Sequence, residues 1–166
     1  MAVDALVPAY VGLGSNLDEP AVQLRRALTA LGRLPGTRLV AVSSFYGNPP
    51  MGPQDQPDFV NAVAGLLTTL PAMELLAALQ AIEAAQGRRR DGPRWGPRTL
   101  DLDLLVYGAL RRDGEALVLP HPGIADRPFV VVPLHEIAPG LRLPGGPSIE
   151  RLAAAADRGG LARLDG

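Results

Sequence analysis

The segment Arg94-Trp95-Gly96-Pro97-Arg98-Thr99-Leu100-Asp101-Leu102-Asp103-Leu104-Leu105 decides how this chain is read. Its first half is a stiff cationic turn and its second half alternates. From Leu100 to Val106 the even positions Leu100, Leu102, Leu104 and Val106 are all apolar, a period of two that predicts a strand with one buried face. Asp101 and Asp103 then share the opposite face, about 7 Å apart at ~3.4 Å rise per residue. Two carboxylates so placed repel unless a cation lies between them. Mg²⁺ is suited to that position, because it takes one or two carboxylates and completes its shell with substrate phosphates. The plainer alternative is a solvated sheet face, against which the depletion of Asp in strands weighs. Arg94 and Arg98 suit phosphate oxygens. Paired acid, metal and arginine together indicate phosphoryl transfer.

Working outward, Val7 to Leu13 reads as a first strand ending at Gly12-Leu13-Gly14-Ser15-Asn16, where glycines permit a tight turn. Asp18 and Pro20 can cap and begin a helix, along which Ala21, Leu24, Leu28 and Leu31 recur at helical spacing until Gly32 and Pro35. Thr37 to Tyr46 predicts a second strand. The stretch from Gly47 to Pro57 is too rich in proline for helix or central strand and is long for a loop. Phe59 to Thr68 predicts a third strand, and a second helix runs from near Pro71 to Gln86 with Ala72, Leu75, Leu76, Leu79 and Ile82 as its core stripe. Gly87 is its expected stop. Gln80 and Glu83 share a face away from that stripe.

The basic loop Arg88-Arg89-Arg90-Asp91-Gly92-Pro93 leads into the acid-bearing strand. Beyond it, Gly108 to Gly114 reads as the turn of a hairpin extension. Pro128 to Leu134 fits either a short helix or a strand, and Ser148 caps a last helix through Ala156. The order β-α-β-β-α-β is the split βαβ pattern, so the expected fold is α+β, a ferredoxin-like sandwich with a C-terminal hairpin and helical extension. A length of 166 residues favours a single domain over 1–166.

Composition narrows the function. With 47% hydrophobic and 20% charged residues this is an ordinary globule. A net charge of −1 offers no field to recruit nucleic acid. All sixteen basic residues are Arg, so a P-loop, which needs its Lys, is excluded. The lack of Cys excludes disulfides, thiolate metal sites and a Cys nucleophile. No apolar run approaches a membrane span and no charged segment precedes an apolar one at the start, so a cytoplasmic protein without membrane attachment is expected.

Other chemistry-bearing residues carry two readings each. Gly12-x-Gly14 is as compatible with a plain turn as with a ligand loop, since the third glycine of a dinucleotide fingerprint is replaced by Leu17. Arg88 to Arg90 alone would be a solvated run, but one loop from an acid pair they can meet charge that develops on transferring phosphoryl oxygens. His121, between Pro120 and Pro122, is either a kink residue or a phosphate donor. Phe59 and Phe129 are core residues or faces on which a planar heterocycle stacks. Trp95 could close the cationic loop over a nucleotide, and His135 reads as structural.

Together these residues resemble the 6-hydroxymethyl-7,8-dihydropterin pyrophosphokinase family. The resemblance runs through Gly14-Ser15-Asn16-Leu17, Ser43-Ser44-Phe45-Tyr46, Gly52 to Phe59, Asn61, the Arg94–Asp103 signature, Pro120-His121, Arg127-x-Phe129 and Pro133 to Pro139. It implies a monomer that transfers pyrophosphate from ATP to the hydroxymethyl group of the pterin in folate biosynthesis. It also implies two Mg²⁺ held by Asp101 and Asp103. The pterin is expected between Phe59 and Phe129, hydrogen-bonded by Asn61 and by backbone near Asn48 and Met51. Gln80, Glu83, Arg90, Trp95, Arg98, His121 and Arg127 are expected to line the ATP side, with Arg88 and Arg98 on the moving pyrophosphoryl group. Phe59 stands where a Tyr is common in relatives, and Ala116, Val118 and Pro122 differ from some of them on the nucleotide side. A metal-dependent nuclease and a non-catalytic small-molecule sensor are the rival readings; AMP formation from ATP and the pterin alcohol separates all three.

Overall fold

The computed structural model describes residues 5–17, 19–49, 57–87 and 100–164. In chain order these form β1 (Val7–Ser15), α1 (Pro20–Gly32), β2 (Thr37–Val42), β3 (Tyr46–Asn48), β4 (Phe59–Thr68), α2 (Ala72–Ala85), β5 (Asp101–Tyr107), β6 (Arg112–Asp113), β7 (Val118–Leu119), α3 (Pro128–Ile137), α4 (Ile149–Ala155) and β8 (Ala162–Arg163). The main sheet runs β5-β1-β4-β3-β8, with β2 also paired to β4, and its ladders are antiparallel. The β-α-β-β-α-β order therefore holds, and the expected hairpin is the separate β6–β7 pair.

The expected single strand from Thr37 to Tyr46 is two. β2 leaves the ladder at Ser43, whose N–H still donates to the Val63 carbonyl at 2.9 Å. The Val63 N–H donates in turn to Ser43 Oγ at 2.9 Å, so a hydroxyl stands in for a carbonyl while the chain turns into β3. Pro20 opens α1 as expected, but Asp18 lies outside the described residues and the position before the helix is Glu19, left-handed at φ 60 with no side-chain cap bond. Gly87, at φ 90, follows the end of α2 where a left-handed residue is needed. The ambiguous segment after Pro128 is helical, and Ser148 Oγ accepts from Arg151 N at 3.2 Å as the cap of α4.

The sheet is covered on both faces. Leu24, Ala27 and Leu31 of α1 and Leu75, Leu79 and Ile82 of α2 pack on one face with Leu13, Ala62, Leu102 and Leu104. On the other face α3 and α4 bring Val130, Val131, Leu134, Ile149 and Ala153 against Val63, Leu105 and Val106. Each fully buried Leu or Val contributes roughly 1.5–3 kcal/mol of transfer free energy. The even-numbered stripe on β5 therefore stops at Leu104. A register shift between Tyr10 and Val11 leaves Leu105 as an extra residue, and beyond it Val106 lies on the face opposite to Leu102 and Leu104.

Candidate active site

Antiparallel register assembles the site across four strands. Asp101 on β5 pairs with Gly14 on β1, Gly14 pairs with Asn61 on β4, and Asn61 pairs with Tyr46 on β3. One step along, Asp103 pairs with Gly12 and Gly12 with Val63. Directly paired residues point to the same face, so the acid pair and Asn61 look out over two glycines. At about 4.8 Å per strand, Asp101 and Asn61 are separated by roughly 10 Å with no side chain between them. Gly12 and Gly14 thus lie inside β1 and form the floor of the site; the tight turn expected there is absent from the described residues. A Cβ at Gly14 would stand 2.7 Å from Asn61 Oδ1. Leu105, displaced by the bulge, would stand 3.6 Å from a Cβ placed on Gly12 and closes the floor at its far end.

Asp101 and Asp103 are both half-buried. Arg127, the residue preceding α3, places Nη1 3.9 Å from Asp103 Oδ2. At that length and exposure the pair is weak and easily exchanged for a phosphate. The segment before α3 turns at a cis Leu119–Pro120 bond, and His121 N donates to Leu105 O at 2.8 Å. His121 Nδ1 accepts from Gly123 N at 2.9 Å, which leaves the proton on Nε2. Its pKa is lowered from 6.5 by burial and then by Arg127, with Asp101 pulling the other way. His121 is thus a neutral donor beside the acid pair.

Glu83 and Gln80 do not share an exposed face. Gln80 is exposed, whereas Glu83 is only 3% exposed and its Oε2 accepts from Leu102 N at 2.8 Å, holding the start of β5 from behind. A cavity of about 250 Å³ lies against the β5 edge, lined by Leu76, Asp103, Leu104, Ala116, Val118 and His121 among others.

At the opposite end of the row, Asn48 and Asn61 are buried and Asn61 Nδ2 donates to Asn48 Oδ1. Asn48 Nδ2 donates to Pro49 O at 3.1 Å. Phe59 pairs with Asn48 across the sheet, while Phe129 comes from the first turn of α3, and both rings are half-buried. The same helix start therefore carries Arg127 to the acid pair and Phe129 to the amide pair. A cavity of about 220 Å³ adjoins them, lined by Asn48, Pro49, Phe129, Asp126, Asp157 and Leu161. The residues from 157 onward were not anticipated, because nothing local marks β8 as the strand that pairs with β3 at Tyr46 and Gly47. Met51, Arg88, Arg90, Trp95 and Arg98 lie outside the described residues.

The acid pair fits a divalent hard cation. Among the described residues no cluster of three or more His, Cys, Asp or Glu could enclose a metal by itself. Two carboxylates on one open face match an ion that draws its remaining oxygens from water and substrate phosphates. Among the described residues no helix is long and apolar enough to cross a membrane.

The family model described as 7,8-dihydro-6-hydroxymethylpterin-pyrophosphokinase (HPPK) matches residues 10–139. The chain is 55% identical over 157 residues to the 2-amino-4-hydroxy-6-hydroxymethyldihydropteridine pyrophosphokinase of Pseudomonas aeruginosa, covering 95% of this chain and 96% of that protein. It is 52% identical over 147 residues to the protein of the same name from Haemophilus influenzae, covering 89% and 91%. Among solved structures, wild-type Plasmodium falciparum HPPK-DHPS with pteroate is similar at a TM-score of 0.70 and 11% identity, a likeness of fold alone. It covers 93% of this chain, which spans only 43% of that longer one. The matched residues run from within β1 to just past α3 and take in the whole row from Asp101 to Asn61, and this chain belongs to the 7,8-dihydro-6-hydroxymethylpterin-pyrophosphokinase family.

Proposed function

We propose that this chain transfers a pyrophosphoryl group from ATP to the hydroxymethyl oxygen of 6-hydroxymethyl-7,8-dihydropterin, releasing AMP, as a cytoplasmic monomer serving folate biosynthesis. The observation that carries this assignment is the glycine-floored row. It puts a buried amide pair flanked by two aromatic rings and a carboxylate pair on one sheet face, with only glycine of β1 between them in the sheet.

In this reading the pterin ring lies between Phe59 and Phe129, where stacking on aromatic faces holds a planar heterocycle. The amides of Asn48 and Asn61 already orient each other and read its polar edge. The ring's hydroxymethyl arm extends over Gly14 toward Asp101 and Asp103. ATP enters along β5, the edge strand among the described residues, whose backbone groups and adjoining cavity suit an adenine edge. Gln80 and Glu83 belong to this side, Glu83 by positioning β5. His121 donates from Nε2 to a phosphate oxygen, and Arg127 exchanges Asp103 for phosphate. Asp101 and Asp103 would hold two Mg²⁺, which neutralise phosphate charge when bound. The pterin oxygen forms a bond to the β-phosphorus as the bond from that phosphorus to the α–β bridging oxygen breaks. The hydroxyl proton departs, with the Asp103 carboxylate as a candidate acceptor. Arg90, Trp95 and Arg98 are assigned to ATP and Met51 to the pterin, and Arg88 with Arg98 to the charge on the moving group.

The test is AMP release from ATP and the pterin alcohol. Wild type should turn over; Asp101→Asn and Asp103→Asn should each lose at least a hundredfold in kcat while keeping the wild-type circular dichroism. Near-normal turnover in either variant would overturn the assignment of the acid pair.

A further inference from the structure

Two walls of the proposed pterin site come from different layers. Asn48, Asn61 and Phe59 belong to the sheet, through β3 and β4, while Phe129 belongs to α3. The gap between the two ring faces is therefore set by how firmly α3 is held over the sheet. β3 is only three residues long and is joined to β4 on one side and to the two-residue β8 on the other. So short a strand does not hold its own position, and a specific anchor is needed.

Glu136 supplies one. It lies seven residues after Phe129 on α3, two turns along the same side of the helix. Its Oε1 accepts from Tyr46 Oη at 2.5 Å, and its Oε2 accepts from both Ser44 N and Ser44 Oγ at 2.9 Å. Tyr46 stands two residues before Asn48 and is the direct cross-strand partner of Asn61. We infer that Glu136 is a positioning residue for the pterin: its carboxylate clamps β3 to α3 and so sets the gap between the amide-bearing sheet wall and Phe129. The inference rests on the pterin assignment made above. Burial acts to raise the Glu136 pKa, but the hydrogen bonds from Tyr46 and Ser44, with Arg163 nearby, outweigh it and hold the group lowered. Tyr46 is pushed up to about 12 by burial and then by the same carboxylate, with Arg163 and Arg158 opposing. The clamp is therefore a carboxylate and a neutral phenol throughout the neutral range.

A residue that only stabilised the fold would disturb both substrates alike or neither. The experiment measures KM for the pterin alcohol and for ATP separately, with kcat and thermal unfolding, in wild type, Glu136→Ala, Glu136→Gln, Tyr46→Phe and the double variant Glu136→Ala with Tyr46→Phe. Glu136→Ala should raise the pterin KM about tenfold, or about 1.4 kcal/mol, with the ATP KM within about twofold of wild type. Glu136→Gln, which keeps an acceptor oxygen, should recover part of the loss, and Tyr46→Phe should add little on top of Glu136→Ala because the two share one interaction. If Glu136→Ala fails to fold, the Gln and Phe variants decide, each with at least a threefold rise in pterin KM expected. An unmoved pterin KM in folded variants, or pterin and ATP KM rising in parallel, overturns the clamp while leaving the function intact. A wild-type protein that releases no AMP with the pterin alcohol overturns the function and the clamp together.

Discussion

Gly14→Ala is the sharpest probe of the glycine floor. The added methyl would sit 2.7 Å from Asn61 Oδ1, well inside van der Waals contact. A flexible side-chain end could swing away cheaply, but Asn61 is buried and its amide is engaged by Asn48. Moving it sacrifices that bond, at about 0.5–1.5 kcal/mol, and crowds a packed region, at about 1–3 kcal/mol. Removing a glycine from a strand returns about 0.4–1 kcal/mol through the unfolded chain. The balance is a net loss of about 1–3 kcal/mol, or a fall in Tm of roughly 3–8 °C for a chain of this size. The functional effect should exceed the stability effect, since Asn61 is turned out of the position that reads the pterin. The pterin KM should rise about tenfold or more while the ATP KM stays within about twofold. Steady-state AMP release with each substrate varied in turn, alongside a thermal melt, measures both. A variant that melts at the wild-type temperature with an unchanged pterin KM would refute the floor.

Three further outcomes are expected. Glu83→Ala deprives the Leu102 N–H of its acceptor behind β5, so it should cost about 1–3 kcal/mol in a denaturant titration and should lower kcat by loosening the strand that carries the acid pair. Chelation of divalent ions should abolish AMP release, and excess Mg²⁺ should restore it, while the Tm of the substrate-free protein stays put, because two carboxylates do not enclose an ion. The lowered Glu136 pKa means that between its folded value and 4.5 the unfolded chain binds more protons, so stability rises with pH through that window and is lost as pH falls through it. Glu136→Gln should flatten this acid limb in melts taken from pH 6 to pH 3, and an unchanged limb would show that the carboxylate is not held.

Much of this molecule is written locally. The alternation around Asp101 and Asp103, the helical spacing of Leu24 and Leu31 or Leu75 and Leu79, and the Phe59–Thr68 strand all follow from side-chain period, which depends only on neighbours along the chain. So does the acid pair, because two residues two apart on a strand must share a face. The rest depends on partners far away in sequence. Whether Gly12 and Gly14 form a turn or a floor is decided by β4 and β5 closing on either side of them. Glu83 reads as a surface residue until the start of β5 is laid across it, and Leu105 reads as one more apolar position until the bulge turns Val106 to the other face. Glu136 lies 92 residues from Ser44 and 90 from Tyr46, and no local pattern predicts their meeting. Periodicity determined which face each residue would present; register and layer packing, set by long-range burial of apolar surface, decided what stood opposite it.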